Sequence, residues 1–135
     1  MKNILLSCAI FLSSLLLANS VETGHAKASL ITNLQDPNQE SFHIGVRLQM
    51  QDGWHTYWEN PGDSGSPFDA EWTTDEGVIV ENVQWPTPIT IPYPPLMTYG
   101  YEGDIVFPFQ VFRSQETNLK EIKVDFNFLI CADIC

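Results

Sequence analysis

Short runs of alternating apolar and polar residues, separated by proline, glycine and aspartate, constrain the fold of this chain most strongly. Between Ser41 and Met50 every second residue is apolar, namely Phe42, Ile44, Val46, Leu48 and Met50. This period of two is typical of a half-buried β-strand, because successive side chains of a strand point to opposite faces. No stretch of the exported chain has a convincing helical pattern. We therefore predict an all-β protein.

Further strands are predicted at short intervals. They lie at 54–58, 69–72, 78–85, 105–112 and 122–130. Residues 60–67 are predicted as a long loop, and the five prolines between 86 and 95 exclude a helix or a central strand there, which leaves a surface loop or an edge. Six or seven short strands with such turns predict an immunoglobulin-like antiparallel β-sandwich, with a small barrel as the alternative.

The first 28 residues are predicted to be a signal peptide. Lys2 precedes an apolar run from Ile4 to Ala18, and an A-x-A pattern follows at 26–28. The apolar run is shorter than the roughly 20 residues that span a bilayer, so an uncleaved anchor is the less favoured alternative. Cleavage after Ser20 is a further alternative. Cleavage after Ala28 would leave residues 29–135 as one domain in an oxidising compartment.

The chain is acidic, with a formal net charge of −11 from 6 basic and 17 acidic residues. Such a surface repels nucleic-acid phosphates and anionic lipid head groups, so neither is expected as a partner. The plainer interpretation of this acidity is a well-solvated surface.

The chain ends in an apolar segment that carries Cys131 and Cys135. On a continuous strand these residues would lie about 13 Å apart, whereas a disulfide needs Cα atoms within about 7 Å. The chain must therefore turn between them, which would place the sulfurs near the surface at a loop tip. From the residues alone, the pair could be redox-active or a structural disulfide.

A metal site is not expected. His43 and His55 could in principle join the two cysteines as copper or zinc ligands, but their spacing matches no metal-binding motif. No other cofactor is indicated.

Four separated motifs resemble one known family. They are GWHTYWENPGDSG at 53–65, QWPxP at 84–88, YGYEG at 99–103 and CxxxC at 131–135. In this order they resemble the amino-terminal periplasmic domain of the DsbD family of thiol:disulfide interchange proteins, and the ScsB-like branch linked to copper tolerance in particular. The resemblance covers essentially the whole chain after the predicted signal peptide.

This resemblance implies a function. Cys131 and Cys135 would be the redox pair of an immunoglobulin-like domain that receives electrons from a thioredoxin-like domain, fed by a transmembrane domain. The pair would reduce periplasmic thiol-disulfide partners, in disulfide reduction, cytochrome c biogenesis or copper tolerance. The chain stops at Cys135 without a closing strand, so we expect the natural protein to continue into those domains and to reside in the inner membrane.

The resemblance also assigns residues around the cysteines. A cap loop would correspond to Leu96, Met97, Thr98, Tyr99, Gly100 and Tyr101. Met97 or Thr98 stands where the best-known members carry phenylalanine. His55 and Tyr57 would lie beside the cysteines, where those members have two tyrosines. The competing hypothesis is a non-catalytic sandwich that binds a ligand through its aromatic residues and contains a structural disulfide.

Overall fold

The computed structural model describes residues 20–133, and this range is entirely β-structure and irregular segments, without a helix. The strands are β1 (Ser20–Glu22), β2 (Ala26–Thr32), β3 (Ser41–Met50), β4 (His55–Gly62), β5 (Asp69–Thr74), β6 (Val78–Val83), β7 (Ile89–Tyr93), β8 (Leu96–Glu102), β9 (Asp104–Arg113) and β10 (Ile122–Asn127). Within residues 20–133, no helix is long and apolar enough to cross a membrane.

The strands form three antiparallel sheets. One has five strands in the order β1-β2-β3-β9-β6, one has three in the order β4-β8-β7, and one consists of β10 and β5. Their apolar faces enclose a common core, which gives an immunoglobulin-like sandwich. The predicted all-β fold class is therefore confirmed.

The long strand β3 is at the centre of the largest sheet and has the alternation that the sequence predicts. Phe42, Ile44, Val46, Leu48 and Met50 are all buried, and β3 pairs with β2 on one side and β9 on the other. A strand with neighbours on both edges and one apolar face has its register fixed, because a slip by one residue would expose every apolar side chain. The register of β2 and β9 on either side of β3 is fixed in the same way.

Aromatic rings join the sheets. Phe68, just before β5, lies 4.6 Å from Phe107 of β9 and 4.7 Å from both Phe126 of β10 and Trp85, measured between ring centroids. All four tryptophans are partly buried and pack against this core. The rings supply large apolar surfaces in tilted contacts that favour one packing arrangement.

The structure has more strands than the six or seven predicted. Residues 60–62, predicted as the start of a loop, are the end of β4. Residues 96–101, predicted as a loop, form most of β8, the middle strand of the three-stranded sheet. The proline-rich stretch contributes β7, an edge strand that pairs only with β8. Pro92 is tolerated in this edge strand because proline has no N–H to donate, and an edge strand has a neighbour on one side only.

The amino-terminal strands cross the predicted signal boundary. β2 begins at Ala26, which is buried in the core, and it pairs with β3 along seven residues. Cleavage after Ala28 would remove β1 and the start of β2, whereas cleavage after Ser20 would leave β2 whole. The site of cleavage stays a prediction.

Candidate functional site

Cys131 is held by the edge of β4. β10 pairs with β5 as far as Asn127, and the chain then crosses to β4, where Cys131 and His55 form an antiparallel bridge. The His55 amide donates to the Cys131 carbonyl at 2.9 Å, and the Cys131 amide donates to the His55 carbonyl at 3.0 Å. The Thr56 hydroxyl donates to the Leu129 carbonyl at 2.8 Å. Three hydrogen bonds thus fix the segment that carries the cysteine.

Cys131 is disulfide-bonded and only 1% exposed. The expectation that this sulfur lies accessible at a loop tip is therefore wrong for Cys131. The reason is its pairing with β4, which draws the residue into the sandwich before the chain can turn outward. Cys135 lies outside the described residues, and its pairing with Cys131 stays a prediction.

His55 and Tyr57 lie together beside Cys131. Because residues two apart on a strand point to the same side, and bridged residues do too, the side chains of Cys131, His55 and Tyr57 share one face of the sheet, called the site face below. His55 Nε2 lies 3.3 Å from the Tyr57 hydroxyl, and the two rings meet edge to face at 5.2 Å. The structure thus brings both predicted neighbours to the cysteine.

Burial shifts the acid–base properties of both rings. Desolvation lowers the pKa of His55 below its usual 6.5, and the charge of Glu102, its register partner on β8, opposes this shift. Burial also raises the pKa of Tyr57. At neutral pH His55 is therefore mainly an uncharged imidazole that can accept a proton, and Tyr57 is a neutral phenol that can donate a hydrogen bond.

The six predicted cap residues divide between the two faces of β8. Thr98 and Gly100 alternate with Glu102 and share the site face, whereas Met97, Tyr99 and Tyr101 point to the opposite side. Tyr101 is part of the core: it packs on Phe107, and its hydroxyl donates to the Pro86 carbonyl at 2.7 Å. Burial, reinforced by Glu59, raises the pKa of Tyr101 to about 12. That this segment covers the cysteines stays a prediction.

Residues 63–65, called the latch below, contact the site, and the sequence did not predict this. Asp63 and Met97 are joined by two hydrogen bonds. The Met97 amide donates to Asp63 Oδ2 at 2.8 Å, and the Asp63 amide donates to the Met97 carbonyl at 2.9 Å. The hydroxyls of Ser64 and Thr98 lie 3.0 Å apart. Gly65 lies against the Tyr57 ring, where a Cβ would come within 2.1 Å of it. The latch therefore lies across the site face and ties β8 to Tyr57.

The sequence carries a signal for this contact. Gly62 and Gly65 both adopt positive φ, 87° and 90°, which glycine reaches without strain. Glycines at such spacing in a long loop indicate a backbone that turns sharply against a neighbour. That signal locates the turn but not the ring beneath it.

Other candidate residues lie elsewhere. His43 is near the start of β3, in a different sheet from His55, and within residues 20–133 no cluster of three or more His, Cys, Asp or Glu side chains could hold a metal ion. A pocket of about 400 Å³ next to Ile130 is lined by Trp54 and His25. Those two rings stack on each other with centroids 3.8 Å apart, so this face of Trp54 is already occupied.

Comparisons with known proteins agree with this geometry. The family described as "Thiol:disulfide interchange protein DsbD, N-terminal" matches residues 27–135. Among solved structures, the N-terminal periplasmic domain of ScsB from Proteus mirabilis is similar, with a TM-score of 0.65 and 21% identity over 87% of this chain. The chain corresponds to 46% of that solved chain. No curated protein gives a significant match.

Proposed function

The chain belongs to the family of DsbD amino-terminal thiol:disulfide interchange domains, and on this premise we propose that it is a periplasmic electron relay whose redox pair is Cys131 and Cys135. It would accept electrons from a thioredoxin-like domain or protein and pass them to periplasmic thiol-disulfide partners. Disulfide reduction, cytochrome c biogenesis and copper tolerance are the processes that the resemblance suggests.

The observation that carries this proposal is a buried, disulfide-bonded Cys131 fixed to the β4 edge. Exchange requires a thiolate to approach one sulfur in line with the S–S bond. A partner cannot reach a sulfur that is 1% exposed, so it must attack the sulfur bonded to Cys131. That sulfur, which we assign to Cys135, would form the mixed disulfide, and Cys131 would leave with the electron pair as a thiolate.

The second half of the cycle follows from the same geometry. The second thiol of the donor resolves the first mixed disulfide and leaves both cysteines reduced, after which the Cys135 thiolate attacks the disulfide of an acceptor and forms a new mixed disulfide. Cys131 stays beside this bond because its backbone is bonded to His55. It can attack Cys135, re-form the intramolecular disulfide and release the partner thiol. Cys131 is thus the resolving cysteine and Cys135 the one that forms the bond between proteins.

Local charge favours a relay over a spontaneously reactive thiol. Asp133 follows Cys131 in sequence, and Glu102 lies across from His55. Carboxylates do not stabilise a thiolate, whereas a cation or a helix amino terminus would. The pair therefore depends on a docked partner for reactivity, and this protects the reduced form from adventitious oxidation.

We further propose that residues preceding the domain direct its export and that a transmembrane segment elsewhere in the natural protein anchors it in the inner membrane. The similar ScsB domain is periplasmic, as its description states. Amino-terminal sequencing of the exported protein would identify the cleavage site. We expect cleavage after Ser20, since this leaves buried Ala26 and all of β2 in the domain.

Partner trapping tests the relay. In Cys131→Ser the mixed disulfide on Cys135 cannot be resolved, so a thioredoxin-like protein should accumulate as an adduct on non-reducing gels. In Cys135→Ser the remaining thiol is buried, and little adduct should form. Both variants carry Cys8→Ser, which leaves the other cysteine as the only one present.

A structural bridge gives a different result. If neither variant forms an adduct, and if the wild-type disulfide resists a thioredoxin-like reductant until the domain unfolds, the relay is wrong. The chain would then be a non-catalytic sandwich with a structural disulfide.

A further inference from the structure

His55 has the position and the chemistry to exchange a proton with Cys131. We propose that His55 is the general base that removes the proton of the Cys131 thiol when this cysteine resolves a mixed disulfide. This inference rests on the proposed function, because it assigns a role within that same reaction.

The backbone fixes the two side chains next to each other. Both hydrogen bonds of the Cys131–His55 bridge have ordinary lengths, 2.9 and 3.0 Å. In an antiparallel pair of this kind the Cβ atoms lie about 5 Å apart and point to the same face. An imidazole ring extends well beyond its Cβ, so it can reach a sulfur on the neighbouring strand.

The Tyr57 hydroxyl holds the ring. It lies 3.3 Å from His55 Nε2, and Tyr57 itself is 1% exposed and is covered by Gly65 of the latch. When Nε2 carries the hydrogen of the neutral ring, it donates to the Tyr57 hydroxyl oxygen, and the lone pair of Nδ1 can accept the Cys131 proton. When the imidazole takes up a proton, Nε2 can donate to the hydroxyl oxygen. Tyr57 can therefore remain hydrogen-bonded to both forms of His55.

Several titratable groups face this ring. Tyr57 lies on the same strand, Cys131 lies on the segment beyond one edge of β4, and Glu102 lies on β8 beyond the other edge. Burial favours the neutral ring, whereas the Glu102 carboxylate favours the protonated ring. Opposing influences of this kind keep the base available at neutral pH and still allow its conjugate acid to form.

The resolving step exchanges one S–S bond for another and transfers one proton. The Cys131 sulfur forms a bond to the Cys135 sulfur, and the bond between Cys135 and the partner sulfur breaks. The partner leaves as a thiolate with that electron pair, and the proton of Cys131 moves to His55. In the reverse direction, the His55 imidazolium returns this proton to Cys131 as it leaves. A buried thiol benefits from such a base, since burial in apolar surroundings disfavours its thiolate.

The step can be measured with an aromatic disulfide, dithiobis-nitrobenzoate, added to the reduced chain in a Cys8→Ser background. Attack by Cys135 releases a first nitrothiobenzoate, in a phase whose rate depends on reagent concentration. Attack by Cys131 on the resulting mixed disulfide releases a second one, in a phase that does not. The rate of the second phase is recorded from about pH 5 to about pH 9.

For the wild type we expect the second phase to slow as the pH falls through an inflection below 6.5, where His55 becomes protonated. In His55→Gln this inflection should disappear, and the rate should rise only above the usual thiol value of about 8.5, because burial disfavours the Cys131 thiolate. The second phase should then be about tenfold slower near pH 7. The same substitution in the other sheet, His43→Gln, should leave the profile unchanged.

The outcomes separate the two proposals. A wild-type profile without an inflection below 6.5, or an identical profile for folded His55→Gln, overturns the role of His55 and leaves the relay intact. The absence of this inflection in the wild type overturns the role of His55 even if the variant does not fold. If the wild type lacks a concentration-independent second phase, Cys131 does not resolve a bond at Cys135, and the relay itself fails.

Discussion

At the residue scale, the site depends on backbone hydrogen bonds to a segment distant in sequence and on one hydrogen bond between side chains two residues apart. The imidazole of His55 is positioned from one side by its backbone bridge to Cys131 and from the other by the Tyr57 hydroxyl. Glycine at position 65 leaves room for the Tyr57 ring. Each contact is modest in energy, but together they restrict the ring to one orientation.

Removing the Tyr57 hydroxyl should therefore affect the reaction more than the fold. In Tyr57→Phe we expect the resolving phase to slow about fivefold, which corresponds to one hydrogen bond of about 1 kcal/mol, while the inflection from His55 remains. The measurement is the two-phase release of nitrothiobenzoate described above. Tyr99→Phe, on the opposite face of β8, is the matched control and should behave as the wild type. Equal rates in the two variants would show that the hydroxyl does not orient His55.

A second prediction at this scale concerns acid stability. The Arg47 guanidinium donates to both carboxylate oxygens of Asp104, from Nε to Oδ1 at 2.9 Å and from Nη2 to Oδ2, and this contact lowers the pKa of the carboxyl below 3.8. The pKa of Asp104 is therefore lower in the folded than in the unfolded chain, so the ionised carboxylate stabilises the fold above pH 3.8. This stabilisation is lost as the pH falls through the lowered pKa of the folded state.

Urea unfolding at neutral pH and at about pH 3 tests this linkage. Asp104→Asn should reduce the difference in unfolding free energy between the two conditions. Glu116→Gln, at an exposed turn position, serves as the control. An unchanged difference in Asp104→Asn would mean that the contact with Arg47 does not persist in solution.

At the element scale, β8 has two different sides. Its edges bind β4 and β7, and its first residues are fixed by the latch through Asp63 and Ser64. A strand with partners on both edges does not move as freely as a loop. If anything opens over the site face, we expect it to be the latch, because it is a loop that contacts both Thr98 and Tyr57.

The latch can be weakened at one atom. Asp63→Ala removes the acceptor of the Met97 amide, so this amide should exchange with solvent faster, and a small thiol should reduce the Cys131 disulfide severalfold faster. The rate of reduction by a protein partner should increase less, because docking of the partner already displaces the loop. Asp52→Ala, in an exposed turn before β4, is the control. If the small thiol reduces both variants at the wild-type rate, the latch does not guard the disulfide.

At the scale of the whole molecule, the aromatic core joins sheets that few backbone bonds connect. Phe68 contacts Phe107 and Phe109 of the large sheet and Phe126 of the two-stranded sheet. Since β10 leads directly to Cys131, this packing also determines where the cysteine meets β4. Core stability and site geometry are therefore linked.

Phe68→Ala should lower the free energy of unfolding by about 3–5 kcal/mol, the usual loss for a buried phenylalanine. Phe112→Ala is a matched control, because this ring is 42% exposed on the outer face of the large sheet, and its loss should be about 1 kcal/mol or less. Chemical denaturation of both variants gives the comparison. Similar losses for the two would contradict the assignment of Phe68 to the centre of the core.

Much of the fold could be predicted from local pattern. The alternation in β3 determines which of its side chains are buried, and the absence of helical periodicity determines the fold class, since both depend on residues close together in the chain. The proline-rich stretch indicated a surface loop or an edge, because a missing N–H excludes a central strand wherever it occurs. The resemblance to a known family located Cys131, His55 and Tyr57.

What the sequence could not decide depended on pairing between distant segments. Residues 96–101 became a strand because β4 and β7 supply hydrogen-bonding partners on both edges, and Cys131 became buried because β4 pairs with it before the chain turns. The contact between Gly65 and Tyr57 likewise exists only after the loop folds back over β4. By itself, the sequence determined which side chains of β3 are buried and which residues are candidates for the chemistry. The tertiary structure alone decided their neighbours, because hydrogen-bond partners and burial depend on segments that meet only when the chain has folded.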